Sequence, residues 1–174
     1  MKQYLTLMSV ACGVLLAAGC AEMESRKPAT ATAKLEPKSG SKVQGTVTFT
    51  QIEDVVRVNG EITGHTKGPI GFHIHEKGDC SDDKAMNAGG HFNPHKSKHG
   101  GPYELVKHAG DLGNLVFNDA GVAKFNFAVG DIAVNSSSPN GIVGRAVIVH
   151  AQADDLKTDP TGNAGGRVAC GIIK

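Results

Sequence analysis

Between His73 and Asp111 the chain gathers six histidines (His73, His75, His91, His95, His99 and His108) into a segment broken by glycine and proline that closes on an aspartate. Strand faces repeat every two residues and helix faces every three or four, so no single element can present these imidazoles together. A fold that uses them needs a rigid frame elsewhere, against which long loops turn back. Imidazoles at this density beside a carboxylate are the raw material of a transition-metal site. His150 stands downstream at the end of the apolar run IVGRAVIVH, residues 142–150, while His65 sits in a polar turn and reads as incidental.

The frame is legible as strands. Residues 43–49 alternate Val43, Gly45, Val47 and Phe49 with Gln44, Thr46 and Thr48, the pattern of a half-buried strand. A second strand is expected around Val56 and Val58, and a third in GPIGFHIHE, residues 68–76. Two more occupy 112–129, joined by the turn-forming Asn118, Asp119, Ala120 and Gly121, and residues 142–150 and 167–173 supply another pair. Helical periodicity is missing. The fold class is all-β, a sandwich or barrel. Loops as long as 76–110 and 151–166 are uncommon without a function.

His73 and His75 are two apart on a strand, so both face one side while Ile74 faces the other. His150, at the end of another strand, can supply a third nitrogen. His91, His99, His108 and Asp111 are spaced by eight, nine and three residues, which only a folded-back loop can bring together. Three nitrogens and one oxygen make the count that a closed tetrahedral zinc site requires. Gly89, Gly90, Gly100, Gly101 and Gly110 supply the turns. On these residues alone, a histidine-rich loop that loosely buffers metal is the competing reading.

The chain opens on Lys2 and an apolar stretch from about Leu5 to Ala18, too short to span a bilayer as a stable helix and typical of a secretory signal. Ala17-Ala18-Gly19-Cys20 resembles the bacterial lipobox. Residues 1–19 are therefore expected to be a lipoprotein signal peptide and Cys20 the acylated first residue, with ordinary secretion as the alternative. Residues 20–40 offer only Met23 and Leu35 as larger apolar groups and are expected to form a flexible tether, leaving the domain to 41–174. Cys80 and Cys170 then remain. Two thiols in an oxidising compartment read as one disulfide, with a soft metal site as the alternative. Removing the signal leaves 17 basic and 17 acidic residues, a balance that advertises no nucleic-acid partner.

Five segments together carry a family resemblance: residues 71–76 (GFHIHE), 89–94 (GGHFNP), 98–102 (KHGGP), 108–114 (HAGDLGN) and 162–171 (GNAGGRVACG). In this order, from about Lys42 to Ile173, they closely resemble the copper/zinc superoxide dismutases. The resemblance implies a Greek-key β-sandwich or flattened barrel of about eight antiparallel strands with two long functional loops. It implies one copper ion per chain on His73, His75, His91 and His150, and one zinc ion on His91, His99, His108 and Asp111. His91 would bridge the two and carry a proton in catalysis, and Arg167 would draw in the superoxide anion. Asp154 would link the outer nitrogens of His73 and His99, and Cys80 and Cys170 match the family disulfide. His95 falls where the family has no ligand.

The implied activity is conversion of superoxide to oxygen and hydrogen peroxide by Cu(II)/Cu(I) cycling. A copper/zinc-binding module without turnover is the alternative, but storage has no need of Arg167. The lipobox places the enzyme in the periplasm or cell envelope, lipid-anchored through Cys20, and at the outer membrane if the cell is Gram-negative, since Ala21 follows the cysteine. Two departures from the animal pattern matter. The loop from Leu156 to Thr161 is short and has Pro160 where a basic residue is usual, so Lys157, Lys77 or Lys107 would have to stand in for substrate steering. The stretch after Cys80 is longer and the chain stops at Lys174, which leaves monomer and homodimer both open.

Overall fold

A computed structural model describes residues 27–174; the expected signal peptide and the acylation at Cys20 lie outside the described residues. Eight strands form: β1 (Thr30–Pro37), β2 (Gln44–Ile52), β3 (Val55–Thr63), β4 (Gly68–His75), β5 (Asp111–Phe117), β6 (Val122–Val129), β7 (Ala146–His150) and β8 (Arg167–Ile172). Every neighbouring pair is antiparallel, in the order β5-β4-β7-β8-β1-β2-β3-β6. The two end strands β5 and β6 are joined by the Asn118–Gly121 turn, in which the Asn118 side chain accepts from the Ala120 and Val122 amides. That turn rolls the sheet into a nearly closed barrel, which removes the exposed edges of an open sheet.

The alternation read from the sequence is the alternation that packs. Val47, Phe49, Val56, Val58, Ile62, Phe72, Ile74 and Phe117 all point inward with almost no exposure. Each such side chain contributes about 1.5–3 kcal/mol of burial. A smaller cluster lies outside the barrel wall, where Ala85, Ala88, Ala146 and Ile148 pack around Cys170. Cys80 is bonded to Cys170 across 90 residues of chain, which fastens the 76–90 loop to β8.

The first strand corrects the expected tether. Residues 30–37 pair with β2 from Thr30 opposite Thr50 to Leu35 opposite Gly45, and then with β8 at Glu36 and Pro37. Ala31, Ala33 and Leu35 are buried. Alanine carries too little apolar surface to announce a strand, so the TATAKLEP alternation passed for a low-complexity linker. What orders it is the backbone ladder on both sides, which composition does not reveal.

Candidate metal centre

Strands β4 and β7 are buried along almost their whole length, unlike the two-faced strands of the opposite wall. Their inward residues fill the barrel; their outward residues include His73, His75 and His150, and the long loops close over that outer face. His91 is brought alongside β4 by backbone bonds: the Phe92 amide donates to Ile74, the Ile74 amide to Gly110, and the Gly110 amide to Phe92, each at 2.8–2.9 Å. Gly110 is needed there because a Cβ would meet the Ile74 carbonyl at 2.2 Å. Register shifts near His73 and at His150 re-aim both side chains, as bulges beside sites commonly do.

Seven ligand-type side chains converge in two groups that share His91. One holds His73, His75, His91 and His150; the other holds His91, His99, His108 and Asp111. Within each group the candidate ligand atoms lie within 4.8 Å of one another, and every residue is buried. His95 is exposed and belongs to neither group. His65, read as incidental, touches the site after all: its Nε2 meets the His150 carbonyl at 3.2 Å and its ring packs on Phe117.

Hydrogen bonds on the outer nitrogens decide which inner nitrogens are available. His75 Nδ1 donates to the Gly89 carbonyl at 2.9 Å and His150 Nδ1 to the Gly165 carbonyl at 3.3 Å. Their Nε2 atoms consequently face each other, 3.4 Å apart. Asp154 receives His73 Nε2 on one oxygen at 2.8 Å and His99 Nε2 on the other at 2.9 Å. Asp154 is itself clamped by Asn114, which donates to its carbonyl and accepts its amide. Gly162 lies against it with φ of 60°, and a Cβ there would stand 1.8 Å from Asp154 Oδ1.

After these bonds are made, His73 Nδ1, His91 Nε2 and His99 Nδ1 remain buried without a hydrogen-bond partner. An orphaned polar atom in an interior costs about 1–3 kcal/mol, so three at one place call for a ligand. Asp111 Oδ1 lies 2.8 Å from His91 Nδ1, 3.1 Å from His99 Nδ1 and 3.2 Å from His108 Nδ1. Its other oxygen accepts the His108 and Gly100 amides, which locks the loop around it. Three nitrogens and a carboxylate fit zinc, and four neutral imidazoles fit copper, whose affinity for nitrogen donors is the highest among the divalent first-row metals.

The electrostatics separate the two groups: the copper-side imidazoles are disposed to be neutral, whereas His99 in the metal-free chain is disposed to hold a proton that a metal would have to displace. Burial, together with the neighbouring imidazoles and Arg167, holds His75 and His150 well below the ordinary imidazole range. Burial also brings His91 down to about 4 against the pull of Asp111. Burial lowers His99 too, but the Asp111 carboxylate close by and the bond to Asp154 outweigh that and raise it to about 10. Burial disfavours the charged forms of Asp111 and Asp154, yet their imidazole partners keep both below the usual carboxylate range.

A cavity of about 230 Å³ opens beside His150, lined among others by Met86, Thr161 and Arg167. The Arg167 guanidinium is held there by the Ala85 and Gly89 carbonyls, each at 2.6 Å. Lys107 does not serve this mouth: its side chain is buried and paired with Asp131 at 2.5 Å. Lys77 and Lys157 are exposed but do not line it, whereas Lys84, which sequence reasoning passed over, does. Only the chain path after Cys80 places Lys84 there, so no local signal marked it.

Residues 43–173 match the family model described as copper/zinc superoxide dismutase (SODC). An "Extracellular superoxide dismutase [Cu-Zn]" of Brugia pahangi is 44% identical over 156 residues, covering 84% of this chain and 76% of the relative. The crystal structure of the clock protein EA4 superposes with a TM-score of 0.77 at 44% identity, covering 84% of this chain and 94% of that one.

Proposed function

The chain belongs to the copper/zinc superoxide dismutase family, and we propose that it works outside the cytoplasm, anchored by an acylated Cys20 to the cell envelope. It is an oxidoreductase that converts superoxide to oxygen and hydrogen peroxide with copper and zinc as cofactors. The copper ligands in this reading are His73, His75, His91 and His150, and the zinc ligands His91, His99, His108 and Asp111. The observation that carries the assignment is the set of buried nitrogens without hydrogen-bond partners on His73, His91 and His99: one residue from each group and the residue that the two groups share. A similar chain from Brugia pahangi described as extracellular supports the location.

Copper held by the four imidazoles supplies a one-electron couple, so that one superoxide gives up an electron and a second receives it. The second also needs two protons to leave as hydrogen peroxide. His91 is placed to deliver one: Nδ1 is fixed on the Asp111 side, while Nε2 faces the copper group and can take up and release a proton. Because the ring is pinned from the zinc side, that exchange costs little reorganisation. Arg167 holds its charge beside His150 at the cavity wall, where a small anion gains both Coulomb attraction and a hydrogen bond. Asp154 couples the two halves, since one carboxylate orients a ligand of each.

The test is superoxide consumption by residues 21–174 with metal analysis after loading, beside His150→Ala. The reading expects one copper and one zinc per chain with fast turnover. His150→Ala should retain zinc and lose copper-dependent turnover. Full loading without turnover would contradict the assignment.

A further inference from the structure

Three rings of the group formed by His73, His75, His91 and His150 are gripped by short hydrogen bonds: His73 by Asp154 at 2.8 Å, His75 by the Gly89 carbonyl at 2.9 Å and His91 by Asp111 at 2.8 Å. His150 is the exception. Its ring reaches the Gly165 carbonyl at 3.3 Å, just beyond the usual N–H···O range. Its backbone also stands where regular pairing gives out. The β4–β7 ladder ends at Phe72 opposite Val149, and the β7–β8 ladder shifts register between Val149 and His150. Such a shift re-aims a side chain, and a contact from outside the regular ladder is well placed to hold the new direction.

His65 supplies that contact. In the turn between β3 and β4, the Thr66 amide donates to His65 Nδ1 at 2.7 Å, which leaves the proton of the neutral ring on Nε2. Nε2 therefore donates to the His150 carbonyl at 3.2 Å, across 85 residues of chain. The donor is itself well held. Its ring packs on the buried Phe117 with centroids 5.2 Å apart. The Gly64 amide donates to the Gly121 carbonyl at 2.9 Å, which fastens this turn to the Asn118–Gly121 turn. Gly121 closes so tightly on His65 that a Cβ there would stand 2.6 Å from the His65 carbonyl oxygen.

We propose that His65 is a positioning residue of the metal centre: through the His150 carbonyl it sets the direction in which the His150 ring meets copper. It acts on the backbone of a ligand and is not itself a ligand. The role requires an N–H donor, so an apolar side chain of similar bulk would keep the packing on Phe117 and lose the hold on His150. The proposal rests on His150 being a copper ligand.

The full chain loaded with copper and zinc is compared with His65→Leu, which has no donor, and His65→Gln, which keeps a side-chain N–H. Electron paramagnetic resonance of Cu(II) reads the ligand field, and titration with a competing chelator reads the hold on each metal. His65→Leu should change the copper hyperfine splitting and release copper at about tenfold less chelator, the low end of what losing an orienting partner costs a metal site. Zinc should stay as tightly held as in the parent, and His65→Gln should restore both copper readouts. A parental copper spectrum and affinity in His65→Leu overturns the proposal. So does equal loosening of zinc and copper, or failure of His65→Gln to rescue, since either shows that the ring matters only as packing. His65→Phe provides the donor-free comparison if the leucine variant does not fold. Failure of the copper reading itself looks different: the parent takes up no copper, or His150→Ala leaves its spectrum unchanged, and the role of His65 falls with it.

Discussion

Asp154 is no ligand in our reading, yet its two oxygens fix a histidine of each metal group. Asp154→Asn keeps the shape but loses one acceptor and the charge, so one ring must lose its orienting bond. Metal affinity commonly falls 10–100-fold when such outer partners are removed. We expect zinc release at a chelator concentration that the parent withstands, measured by a zinc-sensitive dye. Gly162→Ala acts on the same carboxylate from the other side. The left-handed φ of 60° and a Cβ placed 1.8 Å from Asp154 Oδ1 leave methyl nowhere to go. It should lower Tm and weaken zinc binding together, and an unchanged Tm would show that the 151–166 loop adapts more freely than its bonds imply.

At the scale of elements, the 76–90 loop carries a lysine to the mouth and is held down at Cys80. Lys84→Ala removes a cation that no close carboxylate neutralises among the ion pairs of the described residues. The rate should fall a few-fold at low ionic strength, and the difference should vanish near 1 M salt, where screening extends over only about 3 Å. Equal rates at low salt would mean that Arg167 alone attracts the anion. Strand β1 makes a different kind of contribution. Leu35, at 1% exposure, is its one large buried side chain, and Leu35→Ala should cost about 2–5 kcal/mol in denaturant unfolding. A surface linker would lose nothing measurable by the same change.

For the whole molecule, the buried imidazoles set a pH dependence once metal is stripped. His75, His91 and His150 have lowered folded-state values, so below the unfolded value of about 6.5 the unfolded chain binds protons that the folded one refuses. Stability is then lost as pH falls from about 6.5 toward 4. His99 has the opposite sign: raised to about 10, its contribution is complete below its unfolded value and fades as pH climbs toward 10. Asp111 and Asp154, held low, lose their contribution only in stronger acid. Tm of the chelator-treated chain should peak near about pH 6.5–7 and fall more steeply on the acid side, where three groups act against one. A flat profile between pH 4 and 7 would contradict this balance of charges. Metal-loaded protein should resist the same acid range until its ligands are protonated and metal leaves.

The sequence by itself determined the strand-built frame from Val43 onward, because alternation along a strand is local and apolar side chains declare it. The two groups of side chains that converge were legible as well, through the family resemblance that the motifs around the histidines carry. Tertiary structure alone decided three matters. It ordered β1, whose stability comes from ladders to β2 and β8 and not from its own alanines. It sorted the lysines, burying Lys107 against Asp131 and bringing Lys84 to the mouth, because a long side chain is steered by whatever its loop folds against. And it turned the imidazole rings: which nitrogen faces inward depends on carbonyls and carboxylates that lie up to 81 residues away in the chain and meet the rings only in the folded protein.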